Sequence, residues 1–188
     1  MYVQRLGRAA WERHTRAVEA TWQTIRERLA ALRLDYRRVR LYQDGLPDCG
    51  REAAIVEELA LAGSLNHQLL LDLMKQGAAL TGTESPQLLL DEYELTRREL
   101  ASLKARRAAP LAARVRRLGD QMLERRDRSI AERIGATLAP GETGIVFLGM
   151  LHSLDGRLPR DIELVLLGGQ RSEVGGQRVR NPRLTSDL

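Results

Sequence analysis

Ile145-Val146-Phe147-Leu148-Gly149 carries no polar side chain at any of its five positions. A sheet with one wet face needs apolar and polar side chains in alternation, so this run fits a strand covered on both faces. It is too short for a buried helix and is set off by the Pro140-Gly141 break before it. In a chain whose other segments mostly show helical spacing, such a strand implies a parallel sheet packed between helices.

Upstream, Trp11, Val18, Trp22, Ile25, Leu29 and Leu32 fall on one helical stripe, with Thr15 in its gap. A first helix is expected from about residue 4 to 34, with this stripe laid against the rest of the fold. From Arg37 to Tyr42, Val39 and Leu41 alternate with arginines as in a short strand, which Asp44-Gly45-Leu46-Pro47 breaks with turn chemistry. A helix from about Arg51 to Gln76 follows, with Asp48 as its cap, Glu52 in its first turn and Gly63-Ser64 as a bend or interruption. Gly77 ends it, and Ala78-Ala79-Leu80-Thr81 reads as a second short strand. Ser85-Pro86 opens a helix carrying Leu89, Tyr93, Leu100 and Leu103 that stops near Pro110, and another spans about Leu111 to Leu138. After the apolar strand, Asp161 to Leu167 is a further candidate strand. Strands separated by helices pair in parallel, so the expected fold is helix-rich α/β, a small mainly parallel sheet flanked by long helices.

The length of 188 residues suits one domain, read as residues 1–167. From Gly168 onward the chain is rich in Gly, Gln, Arg and Ser without periodicity, so residues 168–188 are expected to be a flexible tail. With aromatics at only 4%, the core must be mostly Leu, Ile, Val and Ala. No apolar run approaches the roughly 20 residues of a membrane span. Met1 to Arg16 lacks the continuous apolar stretch of a signal peptide, and the lone Cys49 cannot form an internal disulfide. A cytoplasmic protein without membrane association is the expectation.

The net charge of +5 is unevenly spread. It is +6 over residues 1–40, −8 over 41–96 and +7 over 97–133, with the remainder balanced. Mutual attraction of these segments inside one domain is the plain explanation, and a nucleic-acid surface is the sharper one. Aromatic interleaving, zinc-ligand spacing and a helix-turn-helix pattern are all missing, so nucleic acid is not the expected partner.

Polar residues recur just past the predicted strand ends: Asp44 after the first, Glu84 after the second and His152 after the apolar strand. Ligands in open α/β sheets bind outside the carboxyl ends of the strands, where parallel pairing would gather these three. Two carboxylates and an imidazole suit a divalent metal or proton transfer. Each also has an ordinary role, as a turn aspartate before Gly45, a helix-start glutamate beside Ser85 and an inert loop histidine. Asp127 lies within the apolar stripe of Leu123, Ile130, Ile134 and Leu138. A carboxylate on that face is costly unless paired, either in a site or in a structural ion pair. Arg126 lies about 100° round the helix, where it borders the same site and can bind an anionic or carbonyl oxygen, or is simply solvated. Tyr42 and Gln43 line the same strand end. Cys49 lies near a helix start but reads as incidental, Asn66 and His67 as surface or packing residues, and His14 as solvated. No phosphate-binding glycine loop or nucleophile-elbow serine is present.

Arg125-Arg126-Asp127-Arg128-Ser129-Ile130-Ala131-Glu132-Arg133-Ile134, followed by Ile145-Val146-Phe147-Leu148-Gly149-Met150-Leu151-His152, resembles the closing half of the TraB/ChaN/erythromycin-esterase-like superfamily. There an Arg-Asp or Arg-Asn helix precedes a hydrophobic strand ending in Gly-x-x-His. Glu84 in Thr81-Gly82-Thr83-Glu84 and Asp44 in Leu41-Tyr42-Gln43-Asp44 look like that superfamily's acidic residues after its second and first strands. The overlap covers about residues 37–167 and is most specific in its last third. The resemblance implies an α/β fold with a polar site built by Asp44, Glu84, Arg126, Asp127 and His152. Its members include an antibiotic-ester hydrolase, a metal-dependent peptidase group and haem-binding lipoproteins, the last of which would carry a signal peptide. Two positions depart from the pattern. Pro47 stands where a Glu-x-x-His motif would put its histidine, and Asp155 stands where a second histidine often follows the third strand.

Two functions are compatible with this sequence. One is a small hydrolase-like enzyme acting on a small molecule or peptide. Asp44, Glu84 and His152 would hold a divalent metal or transfer protons, with Arg126 on a substrate oxygen and Asp127 orienting Arg126 or His152. The other is a non-catalytic ligand-binding or interaction protein whose N-terminal tryptophan stripe meets a partner, including a second copy of the chain.

Overall fold

The computed structural model describes residues 7–104 and 109–167. In chain order it holds α1 (Arg8–Ala31), β1 (Val39–Pro47), α2 (Glu52–Leu61), α3 (Leu65–Lys75), β2 (Ala79–Glu84), α4 (Pro86–Lys104), α5 (Ala109–Thr137) and β3 (Thr143–Phe147). The sheet has the order β2-β1-β3, and both pairings are parallel. This is the helix-rich α/β fold with a small parallel sheet. The expected tail from residue 168 and the start of the first helix at residue 4 lie outside the described residues.

β1 is central because both of its faces are apolar. Val39 and Leu41, with Ile145 of β3, pack against Val56 of α2, Leu69, Leu70 and Leu73 of α3, and Leu29 of α1. Tyr42 points the other way, into Ile130, Ala131 and Ile134 of α5 and Leu154 of the segment after β3. Each fully buried Leu, Ile or Val contributes about 1.5–3 kcal/mol, so the two clusters fix the helices on opposite faces. The Tyr42 hydroxyl lies 2.9 Å from Thr137 Oγ1. Burial, more than any neighbouring charge, pushes its pKa above the ordinary value, so Tyr42 belongs to the core and not to the strand-end site.

Three sequence expectations need correction, and a fourth is borne out. The interruption expected at Gly63-Ser64 divides residues 51–76 into two helices, because Gly63 at φ 93° closes α2. There the amides of Gly63 and Ser64 donate to Ala60 O and Leu59 O, the paired bonds of a glycine-terminated helix end. Asp48 does not cap α2. Instead Glu52 Oε1 reaches back to accept from the amides of Cys49 and Gly50. Asp161–Leu167 joins no strand of the sheet. Ile162 and Leu164 pack onto the α5 cluster, so the alternation that reads as a strand is used for side-chain packing alone. Finally, the first strand begins at Val39, after a 3-10 turn over Tyr36–Arg38, and runs on to Pro47 instead of stopping at Tyr42.

That extension is a bulge, and it positions the candidate site. Gln43 pairs with Gly82 and Pro47 with Glu84, so Asp44, Gly45 and Leu46 together oppose Thr83. Thr83 Oγ1 fills the ladder there, donating to Gln43 O at 2.7 Å and accepting from Gln43 N at 3.0 Å. Gly45 takes φ 77°, a conformation that glycine adopts without strain. Gly82 is required for a different reason: a Cβ on it would sit 2.5 Å from Asp48 Cα and 2.7 Å from Pro47 O.

At the opposite end of the sheet, Arg40 clamps Glu142 with two bonds of 2.9 Å, from Nε and Nη2. The Arg40 hydrogen bonds hold the Glu142 carboxyl below its ordinary range, and the Ala139 amide adds to this. A carboxyl depressed in the folded state stabilises the fold above its unfolded pKa of about 4.3 and loses that contribution as pH falls through the folded value. Glu142→Gln should therefore lower stability at pH 7, and its gap from wild type in urea midpoint should close as the solution is acidified below about 4. A pH-independent gap would remove the clamp from the account.

Gly82→Ala should cost about 1–3 kcal/mol, because its close neighbours are backbone atoms that cannot step aside. Gly119→Ala, within α5 and with nothing within 4 Å, should instead gain about 0.5–1 kcal/mol. Thermal melts of the two variants should move in opposite directions.

Candidate functional site

The bulge in β1 turns Asp44 towards the carboxyl edge of the sheet, and β2 ends there on Glu84. α5 passes over the same edge with Arg126 and Asp127, and the turn after β3 delivers His152. These five side chains, expected from the sequence to meet, form one cluster. Asp44 and Glu84 lie within their strands instead of just beyond them, because both strands run further than their apolar patterns suggest.

Arg126 is its centre. Nη2 lies 2.6 Å from both Asp44 Oδ1 and Glu84 Oε1, and Nε lies 3.2 and 3.3 Å from the two Glu84 oxygens. Nη1 donates to Glu92 Oε2 at 2.6 Å. The Glu84 side chain is 0% exposed and that of Arg126 7%, so this is a buried ion pair with a forked geometry. Burial works against the Arg126 charge, yet the Glu84 hydrogen bonds and the charges of Glu84, Glu92 and Asp44 outweigh it and raise its pKa. The solvated-arginine reading of Arg126 is thereby excluded.

Asp127 holds the histidine. His152 Nδ1 donates to Asp127 Oδ1 at 2.5 Å, and the Ser153 amide donates to Oδ2 at 3.1 Å. With Nδ1 engaged, His152 Nε2 faces Asp44 Oδ1 at 3.3 Å. The turn carrying the histidine is closed by the His152 amide on Gly149 O at 3.1 Å and tied back by the Gly149 amide on Asp44 Oδ2, also 3.1 Å. A Cβ at position 149 would lie 3.0 Å from that same oxygen, which accounts for glycine there.

Asp44, Glu84 and His152 can each offer one ligand atom, and these atoms all lie within 4.8 Å of one another. Two carboxylates and an imidazole are a chemically suitable donor set for zinc or manganese, and Asp127 on Nδ1 is the usual outer support of a metal-binding histidine. As arranged, however, the Arg126 guanidinium already engages the two carboxylates. The donor set fits a metal only if that side chain moves.

Glu92 is the participant that sequence reasoning missed. Its only signal was its position three residues after Leu89, on the flank of the α4 stripe. Arg157 was also missed; its Nε approaches Asp127 Oδ2 to 4.0 Å. Other residues considered from the sequence lie elsewhere. Gln43 is buried with Nε2 on Asp44 O, Cys49 and His14 are exposed, and His67 Nδ1 meets Ser64 Oγ at 2.7 Å. Asn66 is half-buried. Pro47 sits opposite Glu84 in the ladder and Asp155 is exposed, so neither departure from the superfamily pattern restores a second histidine. A groove of about 600 Å³ between α4 and α5 is lined by residues such as Asp91, Leu95, Met122 and Arg128, and by none of the five site residues.

Comparison with protein-family models, curated proteins and solved structures gives no match. Among the described residues, no helix is long and apolar enough to cross a membrane.

Removing Arg126 leaves Glu84 as an unpaired buried charge, so Arg126→Met should cost about 3–5 kcal/mol. Adding Glu84→Gln should return part of that loss, with a coupling of about 0.5–3 kcal/mol in a double-mutant cycle by urea denaturation. Additive costs would mean that the pair is not energetically linked.

Proposed function

We propose that the protein is a hydrolase-like enzyme of the TraB/ChaN/erythromycin-esterase-like type, acting at the Asp44–Glu84–Arg126–Asp127–His152 cluster. The observation that carries this reading is the hold of Asp127 on His152 Nδ1 at 2.5 Å, which leaves Nε2 as the ring atom turned towards Asp44. A carboxylate that fixes one ring nitrogen selects the tautomer and directs the other nitrogen towards a proton to be moved. His152 Nε2 takes a proton from water as that water attacks an ester, amide or phosphoryl centre, and Asp127 stabilises the charged ring. Arg126 is the cation at hand for a developing negative oxygen, with Nη1 towards the part-exposed Glu92. A divalent ion held by Asp44, Glu84 and His152 Nε2 would occupy that nitrogen, and would supply Lewis acidity and a more acidic bound water in place of the imidazole base.

A non-catalytic interaction protein is the second reading, favoured by one observation: the five site side chains are between 0 and 20% exposed and satisfy one another. Its partner surface would lie on α1, where Trp22 and Ile25 pack into the core while Trp11 is 37% and Leu32, just beyond the helix, 45% exposed.

A panel of ester, amide and phosphoester substrates, each with and without added Mn²⁺ or Zn²⁺, separates the two. On any substrate turned over, His152→Ala and Asp127→Asn should each lower kcat by about 10²–10⁴-fold. Silence across the panel, together with wild-type stability of an Asp44→Ala/His152→Ala double variant, would hand the fold to the interaction reading.

A further inference from the structure

Asp44 Oδ1 and Glu84 Oε1 lie 2.6 Å from one and the same atom, Arg126 Nη2. They belong to two of the three residues that can also converge on a cation, with His152 as the third. A guanidinium nitrogen and a divalent ion cannot hold the same oxygens at once. Arg126 has, however, a further partner of a different kind. Glu92 comes from α4, sits 2.6 Å from the other terminal nitrogen, Nη1, and its side chain is 43% exposed. The guanidinium can therefore turn towards the solvent side without giving up all of its counter-charge.

We propose that Arg126 is a built-in competitor for a divalent cation, filling the seat between Asp44 and Glu84 until it is displaced onto Glu92. This rests on the ligand set of the hydrolase-like reading but concerns its regulation, so entry of the ion is coupled to movement of one buried side chain. The local charge favours such an exchange. Among the described residues, the cations that meet Asp44, Glu84, Glu92 and Asp127 are Arg126, the more distant Arg157 and the ring of His152 when protonated. Four carboxylates therefore surround two permanent cations, and an added divalent ion meets an excess of negative charge. Displacement also leaves His152 in place. Its Nδ1 is held by Asp127, whose other oxygen accepts from the Ser153 amide, so Nε2 keeps its direction while the guanidinium moves.

Calorimetric titration of the full chain with Mn²⁺ alone tests this, using wild type, Arg126→Gln, Glu92→Gln and the double variant at fixed pH and salt. Arg126→Gln should bind Mn²⁺ at least about tenfold more tightly than wild type, because the competitor is gone. Glu92→Gln should weaken wild-type binding by about tenfold yet change the Arg126→Gln background by less than about threefold, since only a protein with Arg126 needs the displaced position. Equal or weaker binding by Arg126→Gln, an equal effect of Glu92→Gln in both backgrounds, or no Mn²⁺ binding by any variant would each overturn the proposal. If Arg126→Gln does not fold without metal, recovery of its helical circular dichroism on adding Mn²⁺ supports the proposal and no recovery overturns it. Turnover by His152 in the absence of any divalent ion would leave the enzyme reading standing whatever the titration gives. Competition for Mn²⁺ without turnover would separate the two in the opposite direction.

Discussion

Glu84 is wholly shielded from water, and its charge is sustained there by the Arg126 guanidinium. An unpaired carboxylate in that position would be costly enough to threaten a fold whose net stability is of the order of 5–15 kcal/mol. The pairing also ties the architecture together. Arg126 belongs to α5, Glu84 ends β2, Asp44 sits in the bulge of β1 and Glu92 lies on α4. One side chain thus joins two helices to two strands at the carboxyl edge of the sheet. Seven residues further along α5, Arg133 repeats the pattern with Asp48 at 2.8 Å and Gly82 O at 3.1 Å. α5 is fixed to the sheet by apolar packing along one face and by arginines along its border.

The charge distribution along the chain finds its explanation in these pairs. The segment of charge −8, residues 41–96, supplies Asp44, Asp48, Glu84 and Glu92, and the +7 segment, residues 97–133, supplies Arg126 and Arg133. The basic first segment contributes Arg26, which meets Asp72 at 2.7 Å. Part-exposed pairs such as Arg26–Asp72 and Arg133–Asp48 add little stability. The buried ones mainly set which surfaces can meet, since a like-charged neighbour at either position would leave a charge unpaired in the interior.

What the sequence made legible followed from periodicity and from the cost of misplaced charge. The apolar run Ile145–Gly149, of which the first three residues belong to β3, implied a doubly covered parallel sheet, and Asp127 stood out because it interrupts the stripe of Leu123, Ile130 and Ile134. Both inferences led to the cluster. The bulge stayed hidden because Asp44-Gly45-Leu46-Pro47 has the composition of a turn, and only pairing with β2 turns it into strand. Asp161–Leu167 failed in the opposite sense: its alternation is real, but Ile162 and Leu164 spend it on α5 instead of on a neighbouring strand. Glu92 was invisible for a more general reason. An acidic residue on the flank of an exposed helix has no local peculiarity, and its role exists only through a side chain 34 residues away.

The contacts within the cluster are graded, and the grading says which polar atom is least committed to a partner. Arg126 makes 2.6 Å contacts with three carboxylates, and His152 Nδ1 is 2.5 Å from Asp127. At 3.3 Å from Asp44, His152 Nε2 is the most loosely held of these polar atoms. A donor or acceptor with a short, well-aligned partner must give that partner up before it can act on a ligand, at the cost of leaving it unsatisfied. Nε2 surrenders the least. The arrangement therefore combines a rigid electrostatic frame with one weakly committed nitrogen.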